Sequence, residues 1–129
     1  MQFSLALRNA RLDLIASQIG ASAKLKIYTG SAPGAANAAT GTLLSTLSLS
    51  STWLNAASGG TKSQTGTWSD SSAAASGTPG YWRLQDSTGT TTYLEGTCGV
   101  GSGELNFLGS VSLGGQVTVT SFVLTEGNA

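Results

Sequence analysis

From Gly80 to Leu94 the chain reads Gly-Tyr-Trp-Arg-Leu-Gln-Asp-Ser-Thr-Gly-Thr-Thr-Thr-Tyr-Leu. In Tyr81–Gln85, Trp82 and Leu84 fall on one side of an extended chain, and Tyr81, Arg83 and Gln85 on the other. That two-residue period belongs to a strand with one buried face. Asp86-Ser87-Thr88-Gly89 follows; Asp favours the first position of a tight turn, and Gly accepts the positive φ at its end. Thr90–Leu94 returns as a second β-prone run. The stretch predicts a β-hairpin with Trp82 in the core.

The same period recurs along the chain. In Ala23–Thr29, Ala23, Leu25 and Ile27 alternate with Lys24, Lys26 and Tyr28. Thr42–Ser51 places Leu43, Leu47 and Leu49 on one face, and Leu44 with Thr46, Ser48 and Ser50 on the other. Thr61–Ser69 reads as one strand of low hydrophobicity, ending near Trp68. Glu104–Leu108 is a short strand with Leu105 and Phe107 in phase. Gln116–Thr125 slips phase at Thr120-Ser121, between Val117/Val119 and Phe122/Leu124. A β-bulge there, or burial on both faces, would make it a central strand. Small-residue segments separate these runs: Gly30–Gly41 around Pro33-Gly34, Asn55–Gly60, Asp70–Pro79, an irregular connection at Gly96–Gly103, and a turn at Gly114-Gly115. Before them lies one helix, Ser4–Gly20, with Ser4 as amino-terminal cap and Gly20 as stop. Leu5, Leu12, Ile15, Ala16 and Ile19 form its apolar stripe, with Arg8, Arg11 and Gln18 largely opposite. The expected fold is mainly β: an antiparallel β-sandwich or jelly roll of about seven or eight strands with one N-terminal α-helix. We expect one domain over 1–129, with the helix at 4–20 and the sandwich at 23–125.

Charge and composition narrow the function. Charged residues make up 9% of the chain, the net charge is zero, and there is no histidine. Six scattered basic residues give no patch for a phosphate backbone, so no nucleic-acid partner is expected. Without His, the His route to an activated Ser or Cys nucleophile and the usual zinc sites are closed. Cys98, the one cysteine, reads as a small apolar residue. Gly99-Val-Gly-Ser-Gly lacks the lysine and helix of a phosphate-binding loop. Among the carboxylates, Glu95 and Glu104 border the glycine-rich segment and read as solvated strand ends rather than a glycosidase pair. Asp13 reads as a helix residue near Arg8 and Arg11. No enzyme, cofactor or metal is expected. Arg8, Arg11 and Asp13 interrupt the apolar pattern of Met1–Gly20, so no secretory leader is expected, and no apolar run approaches the ~20 residues of a membrane span.

What remains is contact. Low net charge gives weak protection against association. Tyr28 and Tyr93 fall on outward faces, where amphipathic rings serve interfaces. Trp53 and Trp68 lie at loop margins, open to core or interface roles. Phe3 and Leu5 belong to a short apolar terminus expected to make a protomer or partner contact. Interface candidates are therefore Phe3, Leu5, Tyr28, Trp53, Trp68 and Tyr93.

Two sets of residues resemble a known family. Asn9-Ala10-Arg11-Leu12-Asp13, Ile15, Ile19-Gly20, Leu25-Lys26-Ile27-Tyr28-Thr29-Gly30 and Pro33 are similar to the amino-terminal half of small proteins of tailed bacteriophages and prophages. Trp82-Arg83-Leu84-Gln85-Asp86, Gly89-Thr90, Glu95-Gly96 and Val117-Thr118-Val119-Thr120-Ser121-Phe122 are similar to the carboxy-terminal half. The resemblance implies a virion structural protein on the capsid exterior, made in the host cytoplasm. Its best-fitting role is a capsid decoration, or cement, protein. Its implied partners are the major capsid protein and copies of itself, as a dimer or trimer. A tail or head–tail joining component and a carbohydrate-binding module using Trp53, Trp68 or Tyr93 are the alternatives.

Overall fold

In chain order, the computed structural model has one helix, α1 (Leu5–Ile19), and nine strands among the described residues. These are β1 (Lys24–Tyr28), β2 (Leu43–Ser48), β3 (Thr61–Ser63), β4 (Trp68–Asp70), β5 (Tyr81–Gln85), β6 (Thr92–Val100), β7 (Leu105–Phe107), β8 (Val117–Val119) and β9 (Val123–Thr125). The structure describes residues 1–100, 105–107, 110–119 and 122–125, with backbone alone for 99–100 and 105–107. The fold is mainly β. It comprises a five-stranded sheet in the order β2-β1-β5-β6-β7 and two ribbons, β3-β9 and β4-β8. All these pairings are antiparallel except β6 with β7, which run parallel.

The hairpin forms as expected and continues further. Gly89 takes φ 71° and its N–H donates to Asp86 O at 3.0 Å, closing the turn. The Asp86 carboxylate accepts from Thr88 Oγ1 at 2.6 Å. That bond and nearby backbone N–H groups hold its pKa below the usual carboxylate value. β6 does not stop before the glycine-rich segment, as expected, but runs regularly to Val100. Gly96 explains why. It sits opposite Trp82 in the ladder, and a Cβ there would lie 2.5 Å from the Trp82 ring. The missing side chain lets the indole lie across its neighbour strand.

Three further sequence expectations need correction. The regular alternation expected of β2 is broken by a bulge: Ile27 pairs with Ser45, Tyr28 pairs with Leu43, and Leu44 is the extra residue. Leu44 is buried and Leu43 half-buried, the reverse of their expected roles. Thr61–Ser69 is two strands, because β3 pairs with β9 while β4 pairs with β8. Gln116–Thr125 divides for the same reason, so it is not a central strand. Val117, Val119 and Phe122 nonetheless reach one core. The bulge expected at Thr120-Ser121 lies outside the described residues, as do Glu104, Leu108 and Glu126.

The core gathers on one face of the large sheet. Leu25, Ile27, Leu47, Trp82 and Leu84 meet Trp53, Trp68, Val117, Val119 and Phe122 from the ribbons and their loops. Phe122 links the indoles, with ring centroids 5.1 Å from both Trp68 and Trp82 and an edge-on angle of 83° to Trp82. Aromatic packing of this kind favours such tilted geometries. α1 contributes Leu12 and Ile19, both buried, with Ile15 and Ala16 beside them. Ser4 caps it as expected, its Oγ accepting from Leu7 N at 3.2 Å, and Gly20 stops the helix at φ 87° and ψ −175° rather than in the left-handed helical conformation.

Candidate functional site

The two faces of the five-stranded sheet differ in chemistry. Opposite the core face lie Lys26 and Tyr28 from β1, Tyr81, Arg83 and Gln85 from β5, and Glu95 from β6. The sequence pattern places these residues toward solvent. Instead the loop between β1 and β2 folds over Tyr81, Arg83 and Glu95, and β5 is buried along its whole length. Tyr28 and Tyr81 stack at 5.0 Å with planes 7° apart. The Tyr81 hydroxyl donates to Thr40 O and accepts from Thr40 N at 3.0 Å. Burial, with Tyr81 adjacent, raises the Tyr28 hydroxyl pKa.

Beneath that loop sits an ion pair. Arg83 Nε donates to Glu95 Oε2 at 2.8 Å, and the two side chains are 4% and 7% exposed. Arg83 Nη2 also donates to Gly34 O and Asn37 O, and Glu95 Oε1 accepts from Gly34 N at 2.7 Å. The two charges thus satisfy each other and three backbone groups of the loop. Glu95 is a buried structural anchor, which corrects its reading as a solvated strand end.

α1 is joined to the body by polar contacts as well as its leucine stripe. Asp13 accepts from Lys62 Nζ at 2.6 Å and from Ala57 N at 3.0 Å. Asn9 Oδ1 accepts from Gly60 N at 2.9 Å. The lysine hydrogen bond and then the Ala57 N–H hold the Asp13 carboxyl below its usual pKa. Asp13 therefore ties the helix to a loop and strand distant in sequence. Trp53 Nε1 donates to Gly20 O at 2.9 Å, fixing the helix end.

The six interface candidates separate sharply. Trp53, Trp68 and Tyr28 are 2%, 4% and 8% exposed: the two indoles lie in the core and cannot form a stacking platform for a sugar, and Tyr28 is buried on the opposite face against Tyr81. Phe3 is half-buried, with the Arg11 guanidinium 4.7 Å above its ring. Leu5 is 51% exposed and outside the helix's buried stripe, while Arg8, expected opposite, is half-buried. Tyr93 is 40% exposed because it is the extra residue of a second bulge, where Leu84 pairs with Leu94 and Gln85 with Thr92.

Tyr93 stands beside α1. With Leu94, Leu14, Ile15, Ile19, Arg11 and Gln18 it lines an apolar groove of about 180 Å³ between helix and sheet. Leu7 and Leu14, on the far side of α1 from the core, are 47% and 55% exposed. Leu7 ends the amino-terminal segment, Phe3–Leu7, expected to make a contact; sequence reasoning missed Leu14. The available signal was their seven-residue spacing, two helical turns apart and out of phase with Leu12 and Ile19. This helix face, edged by Tyr93, is the candidate site. No family model, curated protein or solved structure matches the chain.

Proposed function

We propose that this chain is a non-enzymatic structural subunit of a tailed-phage particle, decorating and stabilising the capsid as a cement protein. The carrying observation is the exposed apolar face of α1, with Leu7, Leu14 and Tyr93, on a chain otherwise rich in hydroxyls and poor in charge. An apolar patch on a body this uncharged marks an interaction surface. The sequence resemblance supplies the assembly: a shell offering many copies of one partner surface, where weak single contacts add through avidity. In this reading the five-stranded sheet is one layer of a sandwich, with the two ribbons and α1 forming the other, in a single domain over 1–129. The buried positions of Trp53 and Trp68 weigh against the glycan-binding alternative.

A decoration protein binds the assembled shell and not its free subunits, so it shifts the shell's stability by mass action. Particles stripped of this protein should disrupt at a lower temperature, and adding back the purified chain should restore the original value. Scanning calorimetry of the particles checks this, and equal transitions with and without the protein would rule out cementing. Deleting Met1–Leu7 should reduce shell occupancy in the same preparation.

A further inference from the structure

We infer that the sheet face turned away from the core is a peptide-binding site, filled by the chain's own residues 30–41 and able to take an extended peptide of small residues in their place. Residues 30–41 are an excursion from the β1–β2 hairpin rather than part of its ladder. They leave and rejoin at one pair: Thr29 N donates to Thr42 O at 3.0 Å, and Thr42 N to Thr29 Oγ1 at 2.9 Å. A two-residue turn suffices to join antiparallel strands that meet this way. None of the segment's residues is buried, and only Pro33 and Gly34 are half-buried. It contains no large apolar side chain to anchor it.

The sheet holds this segment by its main chain. Glu95 Oε1 accepts from Gly34 N at 2.7 Å. Arg83 Nη2 donates to Gly34 O at 3.1 Å and to Asn37 O at 2.8 Å. The Tyr81 hydroxyl bonds both N and O of Thr40. All of these contacts meet N–H and C=O groups that any peptide carries. The Asn37 side chain turns back to Pro33 O within the segment, at 2.6 Å. Three side chains on the sheet thus read peptide backbone rather than sequence. Their own positions come from the sheet face, Tyr81 through its stack on Tyr28 and Arg83 through its pair with Glu95. A site organised in this way spends little of its binding energy on ordering itself.

The segment leaves part of the face unmatched. An open cleft of about 530 Å³ lies between residues 35–39 and Thr90, Thr91 and Thr92, with Arg83 and Gln85 in its lining. Gln85 is 6% exposed. Its Nε2 donates to Thr92 Oγ1 at 2.9 Å, but its Oε1 has no donor among the described residues. A buried acceptor left unmet is costly, and a peptide seated deeper in the cleft brings an N–H for it. The cleft shares no residue with the α1 groove, so this site stands apart from the decoration reading. While tethered, the segment competes at an effective concentration of about millimolar. A free peptide therefore gains the site only when the segment is removed.

The experiment takes the segment out and returns it as a separate molecule. In one variant Asn-Gly joins Thr29 directly to Thr42. The probe is the synthetic peptide Gly-Ser-Ala-Pro-Gly-Ala-Ala-Asn-Ala-Ala-Thr-Gly, the sequence of residues 30–41. The variant should keep its far-UV circular dichroism and the buried emission of its tryptophans, which lie in the core on the other face. Isothermal titration should then show one saturable site for the peptide. N-methylation of the peptide at Gly34 removes the N–H that faces Glu95 and should weaken binding at least about tenfold. Asn37→Ala and Thr40→Ala in the peptide should each change it less than about twofold, since only their main chain is read. A folded variant that ignores the peptide, or one weakened as much by the side-chain changes as by N-methylation, would overturn the inference. Hydrogen exchange in the unmodified chain checks it without the deletion. Residues 30–41 should open while β1 and β5 stay protected, and Tyr81→Phe should speed exchange in that segment alone. Loss of protection in the segment and both strands together would make it integral to the sheet and overturn the inference as well.

Discussion

Arg83 and Glu95 carry opposite charges into a place where water does not follow, with side chains 4% and 7% exposed. Removing one member of such a pair strands the other, which typically costs about 3–5 kcal/mol. Glu95→Ala should lower unfolding free energy by about that amount in a urea titration, because Gly34 N loses its acceptor as well. Cys98 gives a prediction of a different kind. Its thiol pKa is raised from 9.0 to about 12 by burial alone. The native chain should therefore react slowly with iodoacetamide at pH 8, and at the ordinary rate in denaturant. Its raised pKa also has a sign. Below pH 9 both states keep the proton and the contribution is whole. Between pH 9 and 12 the unfolded chain loses the proton first, so stability falls with rising pH. A denaturation series over that range, compared with Cys98→Ala, isolates the effect.

At the scale of elements, the docking of α1 depends on Asp13. The helix has a cap at each end, but isolated helices of this length are marginal in water, so its order comes from contact with the body. Asp13 anchors it to Lys62, whose side chain is 5% exposed. The Asp13 pKa is lowered from 3.8. Its contribution is therefore present above pH 3.8 and is lost as pH falls through the lower folded-state value. Asp13→Asn should reduce hydrogen-exchange protection in Leu5–Ile19 more than in β1 or β5. Equal loss in helix and sheet would show that α1 and the sheet open as one unit. The loop over Tyr81 behaves similarly. Tyr81→Phe removes two hydrogen bonds to Thr40 and should cost about 1–3 kcal/mol, at roughly 0.5–1.5 kcal/mol per bond.

Across the whole molecule, Trp53, Trp68 and Trp82 come from separate segments and meet Phe122 in one cluster. Fluorescence should be blue-shifted and weakly quenched by acrylamide. Its unfolding transition should coincide with that of far-UV circular dichroism, as expected for a single cooperative core. A separate, earlier fluorescence transition would show that the ribbons unfold apart from the sheet.

Local sequence was enough to fix the helix caps, the Asp86–Gly89 turn, the alternation of β1 and β5, and the burial of Trp82. Each depends on backbone geometry within a few residues, where Ser, Asp, Gly and the two-residue period act directly. Pairing was not written there. Thr61–Ser69 and Gln116–Thr125 look continuous, yet each divides because its two ends find different partner strands. The bulges that bury Leu44 and expose Tyr93 depend on register with neighbouring strands. The solvent-facing character assigned to Arg83 and Glu95 failed because a distant loop covers them, and periodicity cannot report a cover supplied from elsewhere in the chain. For the candidate site, the sequence held Leu7, Leu14 and Tyr93 as separate residues. Only the packed helix made them one surface, since which side of an amphipathic element faces inward is decided by what it packs against.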